Sequence, residues 1–235
     1  KASLALAAMA EQEGLLGAPE AERQYARAVR FGRDSDLPEA ALTALQGALG
    51  LGERAGTAGR HAEAAEHYRT ALDLSVRCDP GPAERFALLA HLRLGQTLAE
   101  LGDRERAVEQ LSHVFETGRR LDDPVLRELA GQAACNLHRA LGSLERWEEA
   151  RALAEQSVQF TRTLTSGTGR ALEAAATYAH AFQTLHDGHE AEAMAELADV
   201  VRVGRESGED VGLRIALDAQ LLVGHLHRQG GRLEE

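Results

Sequence analysis

The sequence predicts an all-α chain, a right-handed α-solenoid of tandem antiparallel helix pairs, on three observations. A six-residue pattern ending in alanine recurs every 43 residues, at Gly59–Ala64, Gly102–Ala107, Glu145–Ala150 and Gly188–Ala193. Apolar residues around each copy fall at i, i+4, i+7 and i+8, which is one face of a helix. Hydrophobic residues make up 44% of the 235 residues but aromatics only 4%. A core of Ala, Leu and Val suits closely packed helices, whereas a β-sandwich draws on β-branched and aromatic side chains.

The repeating columns define two helices per copy. Stepping back from Ala64 by the same period reaches Ala21, and stepping forward from Gly188 reaches Gly231, which opens Gly231-Arg-Leu-Glu-Glu235. Four residues after each alanine come Tyr25, Tyr68, Leu111, Ala154 and Leu197. Eleven after come the small residues Gly32, Ser75, Gly118, Thr161 and Gly204. This segment is helix B, and its small residues let a neighbour approach closely. Upstream lies helix A, clearest over Phe86–Leu101, with Leu51-Gly52, Leu94-Gly95, Leu137-His138, His180-Ala181 and Val223-Gly224 in register. A tight turn at Gly59, Gly102, Gly188 or Gly231 joins A to B where positive φ is needed. Breakers at Asp36–Pro38, Asp79–Pro82, Asp122–Pro124, Ser166–Gly169 and Ser207–Asp210 separate the copies and supply N-caps and helix-starting prolines.

The order Leu94-Gly95, Leu98, Gly102-Asp103, Ala107, Leu111, Val114 and Asp123-Pro124 resembles the tetratricopeptide (TPR) signature: Leu-Gly, a Gly-Asp turn, Ala, apolar positions and a closing Pro. The resemblance spans essentially the whole chain. It is clearest around 51–80 and 94–124 and weaker around 173–204, where His180 and Asp187 stand at apolar positions. The period of 43 departs from the usual length of about 34, so both helices are expected to be long. Such repeats are similar to those of kinesin light chains and bacterial signalling ATPases. HEAT repeats share this period but lack the Leu-Gly and Gly-Asp pattern. The expected organisation is one repeat domain over 1–235, with repeats at 1–36, 37–79, 80–122, 123–165 and 166–208 and a truncated sixth from 209. The absence of an initiator Met and the stop in mid-motif lead to the expectation of a piece of a larger protein.

Charge and motifs narrow the function. The net charge is −11, from 26 basic and 37 acidic residues, and no basic cluster stands apart from its acidic neighbours. Direct nucleic-acid binding and docking to anionic lipid are therefore not expected. No apolar run approaches the roughly 20 residues of a membrane span. The opening Lys1–Ala10 has some signal-peptide character, but the repeat register absorbs it as a helix. Cys78 and Cys135 fit no ligand spacing and read as thiols of a reducing, cytoplasmic compartment. The glycine-rich Gln46–Gly56 lacks the Lys-Ser/Thr of a phosphate loop, so close packing or local fraying is expected there. His186, His189, His225 and His227 have no zinc-ligand pattern, and no nucleophile–base pair is legible. No metal, cofactor or catalytic residue is predicted, and Trp147 is expected to pack under its A–B turn.

The resemblance implies that helix A lines the concave face of the stack and that a partner polypeptide lies along it. Carried onto this register, the inward positions are Gln46, Leu49, Glu53, Leu89, Arg93, Gln96, Gln132, Asn136, Arg139, Tyr178, Phe182 and His225. Arg93, Asn136 and Arg139 suit an acidic group, and Tyr178 and Phe182 an apolar anchor. The partner is then another protein or peptide, or another domain of a parent chain, and self-association through end repeats is a further expectation. The repeats resemble those attached to signal-transduction ATPases and antibiotic-regulatory transcription activators, which implies the sensing arm of a bacterial regulator. The alternatives are a peptide-pheromone or small-ligand receptor and a structural spacer.

Overall fold

The computed structural model describes residues 18–229, and among them every regular element is α-helical. The ten helices are α1 (Ala18–Arg33), α2 (Pro38–Thr57), α3 (His61–Ser75), α4 (Pro80–Glu100), α5 (Arg104–Gly118), α6 (Pro124–Ser143), α7 (Trp147–Thr161), α8 (Gly167–His186), α9 (Glu190–Glu206) and α10 (Asp210–Gln229). Even-numbered helices are the predicted A helices and odd-numbered ones the B helices. Both are long, as the extended period requires. The expected helix at Lys1–Ala10 and the turn at Gly231 lie outside the described residues. None of the described helices is long and apolar enough to cross a membrane.

Contacts divide the chain into two compact units, a first ending at Val114 and a second beginning at Phe115. In the first, α2 packs on α1, α3 and α4. In the second, α8 packs on α6, α7, α9 and α10. The columns seen in the sequence explain the packing within each. Ala21, Ala64, Ala107, Ala150 and Ala193 all have 0% exposure. Their four-residue neighbours Tyr25, Tyr68, Leu111, Ala154 and Leu197 are buried as well.

In three copies the small-residue column marks where a B helix meets the start of the next A helix. A Cβ on Gly32 would lie 2.4 Å from the Ala40 carbonyl oxygen, one on Gly118 2.6 Å from that of Leu126, and one on Gly204 2.5 Å from that of Gly212. No side chain fits such a gap. In the fourth copy Thr161 has 0% exposure, and the glycine in register with Leu126 and Gly212 is Gly169, whose Cβ would lie 2.5 Å from that of Leu164.

Two of the predicted caps are made by side chains: Asp123 accepts from the Val125 and Leu126 amides, and the Ser166 hydroxyl from the Gly169 amide. At α2 and α4 the helix-starting Pro38 and Pro80 follow N-cap residues whose side chains accept nothing. The off-pattern His180 is held by a polar network rather than by apolar packing. Its Nδ1 lies 2.8 Å from Glu196 Oε1, and the Thr184 hydroxyl donates to the other Glu196 oxygen at 3.2 Å.

The glycine-rich stretch is continuous helix, and its glycines seat the two tyrosines of the B column. Cβ atoms at Gly50 and Gly52 would lie 2.9 Å from the Tyr25 ring and 2.4 Å from the Tyr68 ring. Gly56 is different, with only the Ala64 Cβ at 3.9 Å. Gly52→Ala is expected to cost about 1–3 kcal/mol through overpacking. Gly56→Ala should gain up to about 1 kcal/mol from helix propensity. Urea midpoints that moved in the same direction for both would contradict this packing.

At the A–B turns Gly59, Gly102 and Gly188 have φ of 73°, 81° and 84°, with nothing within 4 Å of an added Cβ. Glycine is needed there for its backbone and not for space. Glu145 occupies the same column at φ 58°. An L-residue in the left-handed region costs about 1–2 kcal/mol, partly offset by glycine's greater unfolded-state freedom. Glu145→Gly is thus expected to raise stability by about 0.5–1 kcal/mol and Gly102→Ala to lower it by a similar amount, both read by denaturant titration.

Candidate partner-binding cleft and helix faces

In the first unit the end of α2, the start of α3 and the last turns of α4 enclose a cleft of about 440 Å³. Its lining includes Glu53, His61, Tyr68, Arg93, Gln96 and Glu100. Three of these, Glu53, Arg93 and Gln96, were expected from the sequence as a partner-facing set. Their mutual geometry accounts for the Arg93 guanidinium: its Nη1 donates to Gln96 Oε1 at 3.2 Å, and its Nε lies 3.6 Å from Glu53 Oε1. The Thr97 hydroxyl, also in the lining, donates to the Arg93 carbonyl at 2.8 Å, and the Thr57 hydroxyl to the Glu53 carbonyl at 2.8 Å.

Tyr68 is the lining residue that the sequence reading assigned to the core alone. It is 3% exposed yet borders the cleft. Burial, reinforced by the nearby Glu53 carboxylate and opposed by Arg93, pushes its hydroxyl up to about 12. It therefore stays protonated across the whole physiological range. His61, Glu100 and the two threonines were also missed. They lie at helix ends, where the sequence pattern records turns rather than surfaces.

The other expected residues are distributed differently. Gln46 and Leu89 are half-buried on α2 and α4 and do not border the cleft. Leu49 is a core residue at 5% exposure and presents no inward surface. In the second unit the Asn136 side-chain amide donates to the Gln132 carbonyl at 2.9 Å, and Arg139 donates to the Asn136 side-chain oxygen at 2.8 Å. Tyr178 packs half-buried on the core of α8, α9 and α10, where burial and then the Asp218 charge raise its hydroxyl above the ordinary value. Phe182 is 47% exposed, and His225 is exposed on α10.

Five of these residues share one register position. Glu53, Gln96, Arg139, Phe182 and His225 are each 43 residues apart, and each is exposed or half-exposed. On a frame whose buried columns repeat, this position carries an acid, an amide, a guanidinium, an aromatic ring and an imidazole.

The second unit also contains the counterpart of the cleft, two periods further on. There His61 and Glu100 correspond to Trp147 and His186, whose rings sit 5.5 Å apart at 32°. Trp147 also lies over Gly142, the counterpart of Gly56, 3.6 Å from where a Cβ would stand. Expected to pack under its A–B turn, it lies beside the turn instead and keeps 38% of its surface exposed. Burial raises the thiols of Cys78 and Cys135, the latter to about 11. Both remain protonated and poorly nucleophilic.

No family model matches the sequence, and no curated protein matches it. Among solved structures, the chain is similar to that of a kinesin light chain-type protein of Podosopora anserina with nearly identical TPR-like repeats. The identity is 21%, the TM-score is 0.61, and the match covers 88% of this chain and 95% of that one. A variant form of the same protein gives 21% identity and a TM-score of 0.62 over the same shares. The fold is thus a TPR-like repeat fold, a solenoid of antiparallel helix pairs.

Two half-buried histidines give the fold a pH dependence. Burial lowers the pKa of His91, opposed by the Gln110 hydrogen bond and aided by His113, and burial lowers that of His138. Below the ordinary histidine value of about 6.5, the unfolded chain then takes up protons more readily than the folded one. Stability is full above that pH and declines as pH falls toward the folded-state values. The denaturation midpoint should drop between pH 7.5 and 5.5, and the drop should shrink in His91→Gln/His138→Gln. An unchanged drop would remove these two groups as its cause.

Proposed function

We propose that this chain is a protein-interaction module that binds a polypeptide segment along the exposed faces of its A helices. We further infer that it serves as the sensing or regulatory arm of a larger bacterial transcriptional or signalling regulator. A TPR-like repeat fold supports an interaction role, since stacked helix pairs present extended surfaces and gather no catalytic constellation of their own. Among the described residues no group of three or more His, Cys, Asp or Glu is placed to hold a metal ion. The observation that carries the reading is the diverging column of Glu53, Gln96, Arg139, Phe182 and His225. Side chains that vary in chemistry on an otherwise repeating frame are what selective recognition of one segment needs.

The test is affinity capture from the native lysate with the full chain, beside Glu53→Arg, Arg139→Glu and Phe182→Ala variants that keep the fold by circular dichroism. A partner held by the parent chain and reduced at least about tenfold by one of these changes, roughly 1.4 kcal/mol, supports the helix-A face. Equal retention by all four proteins would assign the interface elsewhere.

A further inference from the structure

Resting on that reading, we propose that the cleft bounded by α2, α3 and α4 takes a basic side chain of the partner, arginine in preference to lysine. The lining decides the sign of the guest. Two carboxylates, Glu53 and Glu100, share the cleft with one guanidinium, Arg93. That guanidinium is already engaged, by Gln96 at 3.2 Å and by Glu53 at 3.6 Å. Its Nε has no hydrogen-bond partner but is closed off from solvent, so no guest reaches it.

The neutral groups add acceptors. The hydroxyl protons of Thr57 and Thr97 are committed to backbone carbonyls, so toward the cleft these oxygens can only accept. The cleft lies at the C-terminal turns of α2 and α4, two ends that favour a cation, against one N-terminus, that of α3, which opposes it. The Tyr68 side chain is an independent sign of a ligand. It is more than nine-tenths buried against the cleft, yet no protein group hydrogen-bonds its hydroxyl. A guest amino or guanidinium group satisfies that oxygen and the two carboxylates together. A guanidinium's planar fork suits two carboxylates better than a compact ammonium.

The counterpart in the second unit points the same way by contrast. Glu53, Tyr68 and Glu100 correspond there to Arg139, Ala154 and His186. Both carboxylates and the phenol are gone, and the Trp147 and His186 rings sit 5.5 Å apart, tilted by 32°. The acidic cleft is therefore a feature of one place in the chain and not of the repeat.

The experiment is a titration of the isotope-labelled full chain with N-acetyl-arginine amide, N-acetyl-lysine amide and N-acetyl-glutamate amide, followed by backbone amide shifts. The arginine probe should move amides of 53–61 and 96–100 at the lowest concentration, and the glutamate probe should leave them in place. Glu53→Gln and Glu100→Gln should each weaken the arginine probe at least about threefold, and Arg93→Gln should strengthen it by about the same factor. Preference for the glutamate probe with dependence on Arg93, or an arginine response unchanged in Glu53→Gln/Glu100→Gln, would overturn the proposal. The titration needs no natural partner, so it separates the two readings. A captured partner with no arginine response sinks the cleft and leaves the module. An arginine response with no captured partner keeps the cleft and sinks the module.

Discussion

Five alanines with no exposed surface, one period apart, fix how closely the described helices pack on each B helix. A larger side chain there would force the helices apart, because packed interiors have no spare volume to absorb even a methylene. The glycines of the small-residue column impose the matching constraint at the other end of helix B, against the carbonyls of Ala40, Leu126 and Gly212. Between these two tight contacts the helix pair has one way to sit. The low aromatic content follows from this. Two of the rings are admitted where the partner helix gives way, as Gly50 and Gly52 give way to Tyr25 and Tyr68.

The A–B turn is the second constraint, and it is local. Three copies use glycine at positive φ with open space around it, and the fourth uses Glu145. The cost of that glutamate is carried by the alanine and small-residue contacts on either side, which fix the helices the turn must join. A strained turn therefore does not end the repeat. Local backbone preference is overruled by packing when the packing is this close.

Most of the fold was legible because helical packing leaves a periodic trace: the alanine column, the turn glycines and the small residues recur at fixed spacing. The candidate site was legible only in part. Glu53 on α2 and Arg93 and Gln96 on α4 could be placed on the equivalent face of two A helices, and the structure brings them to one cleft. Tyr68 could not, because a residue in a core column gives no sign that one edge of it meets solvent. His61, Thr57 and Glu100 fall at helix ends, and their meeting depends on how α2, α3 and α4 converge. Periodicity within one helix does not contain that information. Leu49 shows the opposite failure: the helical wheel turned it toward the partner face, and close packing of α2 buries it.

The same logic separates what supports the frame from what distinguishes this chain. Positions that repeat are those where the helices touch, and their chemistry is nearly uniform because the gaps are. Positions that do not repeat are free of that geometric demand, and their residues record something else. Glu53, Tyr68 and Glu100 in the first unit against Arg139, Ala154 and His186 in the second exchange acid for base and phenol for methyl, on backbones of the same kind. Packing accounts for the phenol alone, since Tyr68 is seated by Gly52 and Ala154 stands in the copy where His138 takes the place of that glycine; it gives no reason for the exchange of acid for base. The exchange of acid for base leaves an acidic cleft in one unit and the tilted Trp147–His186 ring pair in the other. Under the proposed function recognition would fall to these departures from the repeat, and Glu53 and Arg139 among them carry opposite charge.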